Sequence, residues 1–315
     1  MRLTSEKIKA EALNLGFFAC GIAKAAPVSA TEAQKLRLWI EHKDYAGMTY
    51  MANHTDKRID PRLLMDGLKS IVCVAFNYAP VHRLPSNQLQ FAAYALGQDY
   101  HDIVKARLHA LAARLGLSDY RAFCDSAPVL ERYWAVQAGL GWVGKNHQLI
   151  VPRAGSMFFL GELFLDITLD YDTPQRSHCG TCRACLDACP TGALCEPDTL
   201  IAPTGFTACR CLSYQTIENR GDIPLEVASK MGNVVYGCDR CQQACPWNRF
   251  AQPNTEPLLQ PRSELLTMTR ERWQNLTVDE YRRLFKGSAV KRAKYEGLMR
   301  NIQAVMNNEN KNKTE

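Results

Sequence analysis

Two stretches, Cys179-Gly-Thr-Cys182-Arg-Ala-Cys185-Leu-Asp-Ala-Cys189-Pro190 and Cys238-Asp-Arg-Cys241-Gln-Gln-Ala-Cys245-Pro246, decide how the second half of this 315-residue chain folds. The first has the iron–sulfur spacing C-x2-C-x2-C-x3-C-P, and the second repeats it in abbreviated form. The spacing has a chemical cause. A tight loop lets three thiolates reach three irons of one cubane, and the fourth cysteine, followed by proline, leaves on a helix towards the other cluster. One cluster then takes Cys179, Cys182, Cys185 and Cys245. The other takes Cys189, Cys238, Cys241 and one further thiolate, supplied by Cys195, Cys209 or Cys211. Paired C-x2-C motifs also bind zinc. A full run ending in Cys-Pro, followed by a partial copy, is much more specific to two 4Fe–4S clusters.

Ten of the 13 cysteines lie between Cys179 and Cys245. The other three, Cys20, Cys73 and Cys124, sit in or beside strand-like runs and read as small buried hydrophobes. The start, Met1-Arg-Leu-Thr-Ser-Glu-Lys, carries no export signal, so a reducing cytoplasm is expected and the thiols call for metal rather than disulfides. Hydrophobic residues make up 46% and charged residues 22% of the chain, which excludes disorder as the main state. Apolar runs such as Ile71–Phe76 fall far short of the ~20 residues of a membrane span.

Before the cysteines, helix and strand signals are mixed. Helices are predicted over about 4–15, from Ser29 to about Lys43, from Asp99 to Leu115, and from Pro128 to near Gly139. Strands are predicted over Phe17–Ala23, Ser70–Tyr78, Arg121–Cys124, His147–Val151 and Ser156–Leu169, the last two joined by a turn at Pro152-Arg-Ala-Gly155. Asp170–Ser177 reads as a linker. The fold class is α+β, divided into residues 1–172, a two-cluster module over 173–250, and a basic C-terminal segment over 251–315.

Two adjacent cubanes pass single electrons, so the first half should hold what receives them. Gly139-Leu-Gly-Trp-Val-Gly-Lys145 resembles a phosphate loop but follows a helix signal, not a strand, and fails that test. Its glycines point instead to backbone packed against a flat or bulky ligand.

Several further stretches resemble the epoxyqueuosine reductases. They are Lys57-Arg58-Ile-Asp60-Pro61, Gly97-Gln-Asp99-Tyr100-His101, Cys124-Asp125-Ser126-Ala-Pro128-Val-Leu-Glu131-Arg132 with Lys145-Asn146 beyond it, Cys211-Leu-Ser213-Tyr214-Gln-Thr216-Ile-Glu218, and Leu284-Phe-Lys-Gly-Ser288-Ala-Val-Lys-Arg292. The resemblance implies a nitroreductase-like cobalamin-binding domain, a two-cluster bacterial ferredoxin-like module, and base-off cobalamin between them. It implies reduction of epoxyqueuosine to queuosine in the anticodon loop of tRNA. On the matching positions it implies Asp125 as proton donor and cofactor contact, Tyr100 and His101 near the substrate, and Arg58, Lys145, Asn146, Leu149, Leu160, Ser213 and Asp239 about the cobalamin. It also makes Cys211 the eighth cluster ligand, leaving Cys195 and Cys209 over. His147 reads as incidental. A small-molecule reductase of the dehalogenase type, or an electron carrier without catalysis, are the competing readings.

The net charge is +6, and an excess of +5 lies in Arg262–Glu315. Seven bases between Arg282 and Arg300, against Glu296, form a stripe suited to a phosphate backbone, so salt-sensitive tRNA binding is expected. The tail Asn307–Glu315 reads as disordered. The expected protein is a monomer, with no membrane contact and an electron donor that the sequence does not name.

Overall fold

The computed structural model describes residues 3–197 and 202–314, and the side chains of 310–314 are left aside. Its centre is a four-stranded antiparallel sheet. The strands are β1 (Ala19–Lys24), β2 (Ser70–Asn77), β3 (Arg121–Phe123) and β4 (Phe158–Leu165), in the order β1-β2-β4-β3. Side chains alternate across a strand, so a run that is apolar throughout needs cover on both faces. That is what β2 has. Val72, Val74 and Phe76 join one core, and Ile71, Cys73 and Ala75 join another.

The covering helices start where short polar residues bind free amides. In α1 (Ser5–Asn14) the cap is Thr4, and in α2 (Ala30–Glu41) it is Ser29, which accepts from Glu32 N. α3 (Tyr100–Arg114) is capped by Asp99 and buries Val104, Leu108 and Leu111 on the first face. α4 (Glu131–Gln137) sets Trp134 and Ala135 against the second.

The turn predicted at Pro152-Arg-Ala-Gly155 forms, closed by a bridge from Val151 to Gly155, but the two strands it joins lie in different sheets. Leu149–Ile150 turns back to pair with Trp142–Val143, while β4 crosses to lie between β2 and β3. The glycine-rich stretch is used up by the pairing with Leu149–Ile150. A Cβ on Gly141 would stand 2.0 Å from Ile150 O, and one on Gly139 (φ +74°) 2.9 Å from Thr173 O. In the direction a Cβ would take, Gly139 and Gly141 both meet the protein's own backbone.

The C-terminal segment is more than a basic tail. A third core joins Leu89 and Phe91 to Leu212, Val235 and Tyr236, and to Trp273, Leu284 and Phe285. α5 (Leu212–Ile217) and α6 (Lys294–Thr314) pack in it. Leu298, Ile302 and Val305 keep helical spacing along α6, and buried Asn301 donates to Thr216 O and Val235 O. α6 runs to Thr314, through the tail that composition marks as disordered. Tertiary contacts extend it: Asn308 donates to Ala228 O and Arg270 pairs with Glu309 at 2.6 Å. Among the described residues no helix is long and apolar enough to cross a membrane.

Candidate active site and cluster module

Asp125 follows β3 on a loop, in the left-handed region (φ 49°), with its side chain 63% exposed. Tyr100 and His101 open α3 beside it. Tyr100 Oη donates to Asp125 Oδ2 at 2.5 Å, and His101 Nε2 lies 3.8 Å from the same oxygen. Asp99 Oδ1 holds His101 Nδ1 at 2.6 Å. That carboxylate is the largest cause raising the His101 pKa, against the lowering effect of burial. Tyr100 stacks between Phe159 and His101, at 4.2 and 4.1 Å between centroids. Burial, then the Asp125 charge, pushes its phenol far above the usual range, so it is a donor at any working pH. The capping geometry of α3 thus brings two separated motifs onto one carboxyl.

Two glutamates complete this end of the sheet. Asp125 N–H donates to Glu131 Oε1 at the start of α4, and Glu162 lies inside β4. Burial, followed by the Asp125 charge, raises Glu131 to about 8. Burial, then Glu131, holds Glu162 well above the usual carboxyl range. Neither residue was singled out from sequence. The available signal was a charged residue inside the apolar run Phe158-Phe-Leu-Gly-Glu162-Leu-Phe-Leu165.

The proposed cofactor contacts are placed unevenly. Asn146 is 3% exposed; its Oδ1 accepts from Gln148 N while its Nδ2 has no partner. Such an orphaned buried donor fits a site that a polar cofactor completes. Lys145 pairs with Glu196 at 3.0 Å. Leu149 and Leu160 lie in the core beside Trp134. Arg58 is buried and spends its guanidinium on the carbonyls of Asn53 and Tyr50, at 3.3 Å each, so it braces its own loop. Burial pushes His147 down to about 4.

Towards the cysteines, Asp239 accepts from Ala93 N at 2.7 Å, and burial raises it to about 6. Next to Ala93, the phenol of Tyr94 is held well above its ordinary pKa, chiefly by burial, and both Asp125 and Asp239 add to the rise. Tyr94 packs edge-on against Tyr100, 6.0 Å between centroids, and its hydroxyl lies 3.4 Å from that of Tyr236.

The thiols fall into two electrostatic groups. Cys185 is raised by burial and then by Cys245, Cys179 and Cys182. Cys241 is raised by burial and then by Cys238, Cys211 and Cys189. Cys211 stands just before α5, where burial raises it, the amides of Tyr214 and Ser213 oppose the rise, and Cys189 adds to it. Cys209 is exposed. It is absent from the groups that shift Cys189's neighbours Cys211, Cys238 and Cys241. Among the described residues no three such side chains converge as on a single ion. Two sets of four soft thiolates are a donor set suited to iron–sulfur clusters. Cys73 and Cys124 are buried core thiols, while Cys20 is half-buried against the first core, where burial pushes it up to about 12.

The basic stripe is partly consumed by the fold. Arg292 grips Glu218 through two bonds of 2.8 and 3.0 Å, Arg283 binds Glu264 at 2.5 and 2.8 Å, and Arg300 caps the carbonyls of Gln215 and Asn219. Arg282, Lys286, Lys291 and Lys294 remain exposed. Charge counting alone therefore overstates the phosphate-facing bases. Arg292 also lies 5.5 Å over the Tyr50 ring, near the Asp125 loop.

Comparison with known proteins adds to this geometry. The family described as 4Fe-4S double cluster binding domain matches residues 178–248, and that described as epoxyqueuosine reductase QueG, DUF1730, matches residues 58–126. The epoxyqueuosine reductase of Cellulophaga algicola is 44% identical over 302 residues, covering 95% of this chain and 96% of that protein. That of Escherichia coli is 38% identical over 314 residues, covering 96% and 81%. A solved epoxyqueuosine reductase with an epoxyqueuosine-modified tRNA-Tyr stem loop superposes with a TM-score of 0.84 at 29% identity, covering 96% of this chain and 80% of that one. A Bacillus subtilis epoxyqueuosine reductase, with its catalytic aspartate loop swung out of the active site, gives 0.84 at 28% with the same coverage.

Proposed function

The chain belongs to the epoxyqueuosine reductase family, and from that footing we propose that it reduces epoxyqueuosine to queuosine at the wobble position of tRNA. The observation that carries the reading is the convergence of Tyr100 and His101 on Asp125, a protonatable group placed on an exposed loop. Loss of the epoxide oxygen as water, with an alkene left behind, takes two electrons and two protons. When bound, the two 4Fe–4S clusters would supply electrons singly and cobalamin would supply the reducing chemistry at the epoxide.

The protein's own residues handle binding and protons. Cys179, Cys182, Cys185 and Cys245 hold one cluster, and Cys189, Cys211, Cys238 and Cys241 the other; their electrostatic grouping supports this division. Asn146 and Lys145 of the first domain, with Ser213 and Asp239 of the cluster module, would hold the cobalamin, and the orphaned Asn146 amide supports that placement. Asp125 gives a proton to the departing oxygen while Tyr100 and His101 orient its carboxyl. The Asp125 loop opens to admit the flipped nucleotide and closes over it; a Bacillus subtilis relative whose catalytic aspartate loop is swung out of the active site supports such mobility. The exposed lysines on and before α6 meet the phosphates of the anticodon stem. The protein works as a cytoplasmic monomer in which the ranges 1–172, 173–250 and 251–315 share the third core.

The test is direct. Protein with reconstituted clusters, cobalamin and a strong reductant is given tRNA that carries epoxyqueuosine. Conversion to queuosine supports the reading, and an unchanged epoxide with both cofactors loaded overturns it.

A further inference from the structure

Glu162 sits in the middle of β4, opposite Cys73 on β2 and Phe123 on β3, and is 0% exposed. Neither of its carboxylate oxygens meets a hydrogen-bond donor. A buried charge in that state is strongly disfavoured. The helix packed on this part of the strand is α4, which begins at Glu131, and the Glu131 carboxyl is the charged group that acts most strongly on Glu162. Two ionised carboxylates only accept, so they cannot bond to each other. A single proton between them turns one into a donor and satisfies both.

The surroundings do not neutralise the pair. Asp125, on the loop after β3, adds negative charge. Cys73 from β2 and Cys124 from the end of β3 face it as thiols raised chiefly by burial. Arg132 on α4 lowers Glu131 but turns its guanidinium to His147 O at 2.6 Å. Among the described residues neither glutamate takes part in an ion pair. The pair also has one outward connection, because Glu131 Oε1 accepts the Asp125 N–H. It therefore ends on the backbone of a residue held at positive φ, a conformation that a non-glycine residue keeps only under constraint.

We propose that Glu131 and Glu162 share one proton, and that this proton fixes the Asp125 loop in the position that presents its carboxyl to the substrate. The idea rests on Asp125 being the proton donor. Glu162 is then a positioning residue, acting through Glu131 and never touching the substrate. When the shared proton leaves to solvent, two like charges face each other in a buried site. Glu131 relieves them by swinging off Glu162, and its hold on the Asp125 amide goes with it. The loop loosens as pH rises, with no covalent change.

Amide hydrogen exchange of the full-length, cluster-loaded protein tests this, followed from about pH 6 to about pH 9.5 and corrected for intrinsic exchange rates. In the wild type, protection of the Asp125 amide should fall about tenfold or more across that range. Glu162→Gln should abolish the fall, because the glutamine amide donates to Glu131 at every pH. Glu131→Gln, which keeps an acceptor oxygen, should abolish it as well. Glu131→Leu should give low protection throughout. Turnover should follow, with the alkaline limb of kcat displaced upwards by about one pH unit or more in Glu162→Gln. Flat wild-type protection, or an unchanged fall in Glu162→Gln, overturns the proposal. The Asp125 reading fails separately, through normal turnover of Asp125→Asn, whose loop protection should still titrate.

Discussion

Tyr100 Oη donates to Asp125 Oδ2 at 2.5 Å, although the two residues belong to elements 25 positions apart in the chain. The ring that makes this bond is clamped between Phe159 of the central sheet and His101. A rigid phenol thus aims a carboxyl that sits on an exposed loop. The bond does not compete with solvent as two flexible side chains would, because one partner has already lost its freedom to packing.

Removing that donor tests the arrangement. Tyr100→Phe should keep the stack on Phe159 and lower kcat by about 10–100-fold, the equivalent of a charge-assisted hydrogen bond of about 1.5–3 kcal/mol. Steady-state turnover on epoxyqueuosine tRNA reads it. A wild-type kcat would show that Tyr100 does not orient the acid.

Asp125→Asn removes the proton and retains the size. Iron, sulfide and cobalamin content should be unchanged, while turnover drops by about 10²-fold or more. Near-normal turnover in the loaded variant would remove Asp125 from the mechanism.

Buried Glu162 and half-buried Glu131 make stability depend on pH in a definite sense. Both have folded values above the ordinary carboxyl value of 4.5, with Glu131 raised to about 8. The unfolded chain therefore ionises first. Their contribution is fully present below about pH 4.5 and is lost as pH rises through the folded value. Glu162→Gln should match the wild type in thermal unfolding near about pH 5 and exceed it by about 2 kcal/mol near about pH 9. A difference that shrinks towards alkaline pH would contradict the shared proton.

Cys211 and Cys209 are separated by one residue but differ in surroundings. Cys211 acts on Cys238 and Cys241, whereas Cys209 is exposed and acts on neither. Reconstituted Cys209→Ala should keep about eight irons per chain, and Cys211→Ala should fall towards about four. The reverse pattern would exchange their roles.

Gly141 tests the glycine-rich stretch. Its Cβ would lie 2.0 Å from Ile150 O, backbone that cannot swing away as a side chain could. Gly141→Ala should cost about 3 kcal/mol of stability in denaturant unfolding, even in protein free of cofactor. An unaffected midpoint in that form would return these glycines to the role of a ligand cradle.

Much of this was legible along the chain. Local rules place Ser29 and Asp99 as helix caps, and both bind the amides that local spacing assigns to them. The continuous apolar run of β2 announces a strand covered on both faces. What failed was anything that depended on partners far away. The stripe of basic residues looked free because Glu218 and Glu264, which take up Arg292 and Arg283, lie 74 and 19 positions off. The tail looked disordered because its helix draws on Ala228 and Arg270.

By itself, then, the sequence determined the cysteine spacing, the capped helices and the family, since each is written in residues a few positions apart. The tertiary structure decided which groups share an environment. It set Tyr100 on Asp125, gave Cys211 and Cys209 different surroundings, and buried Glu162 within the sheet. Ionisation and hydrogen bonding respond to neighbours in space and to loss of water. Neither is specified until the sheet has closed and α3 and α4 have packed on its two faces.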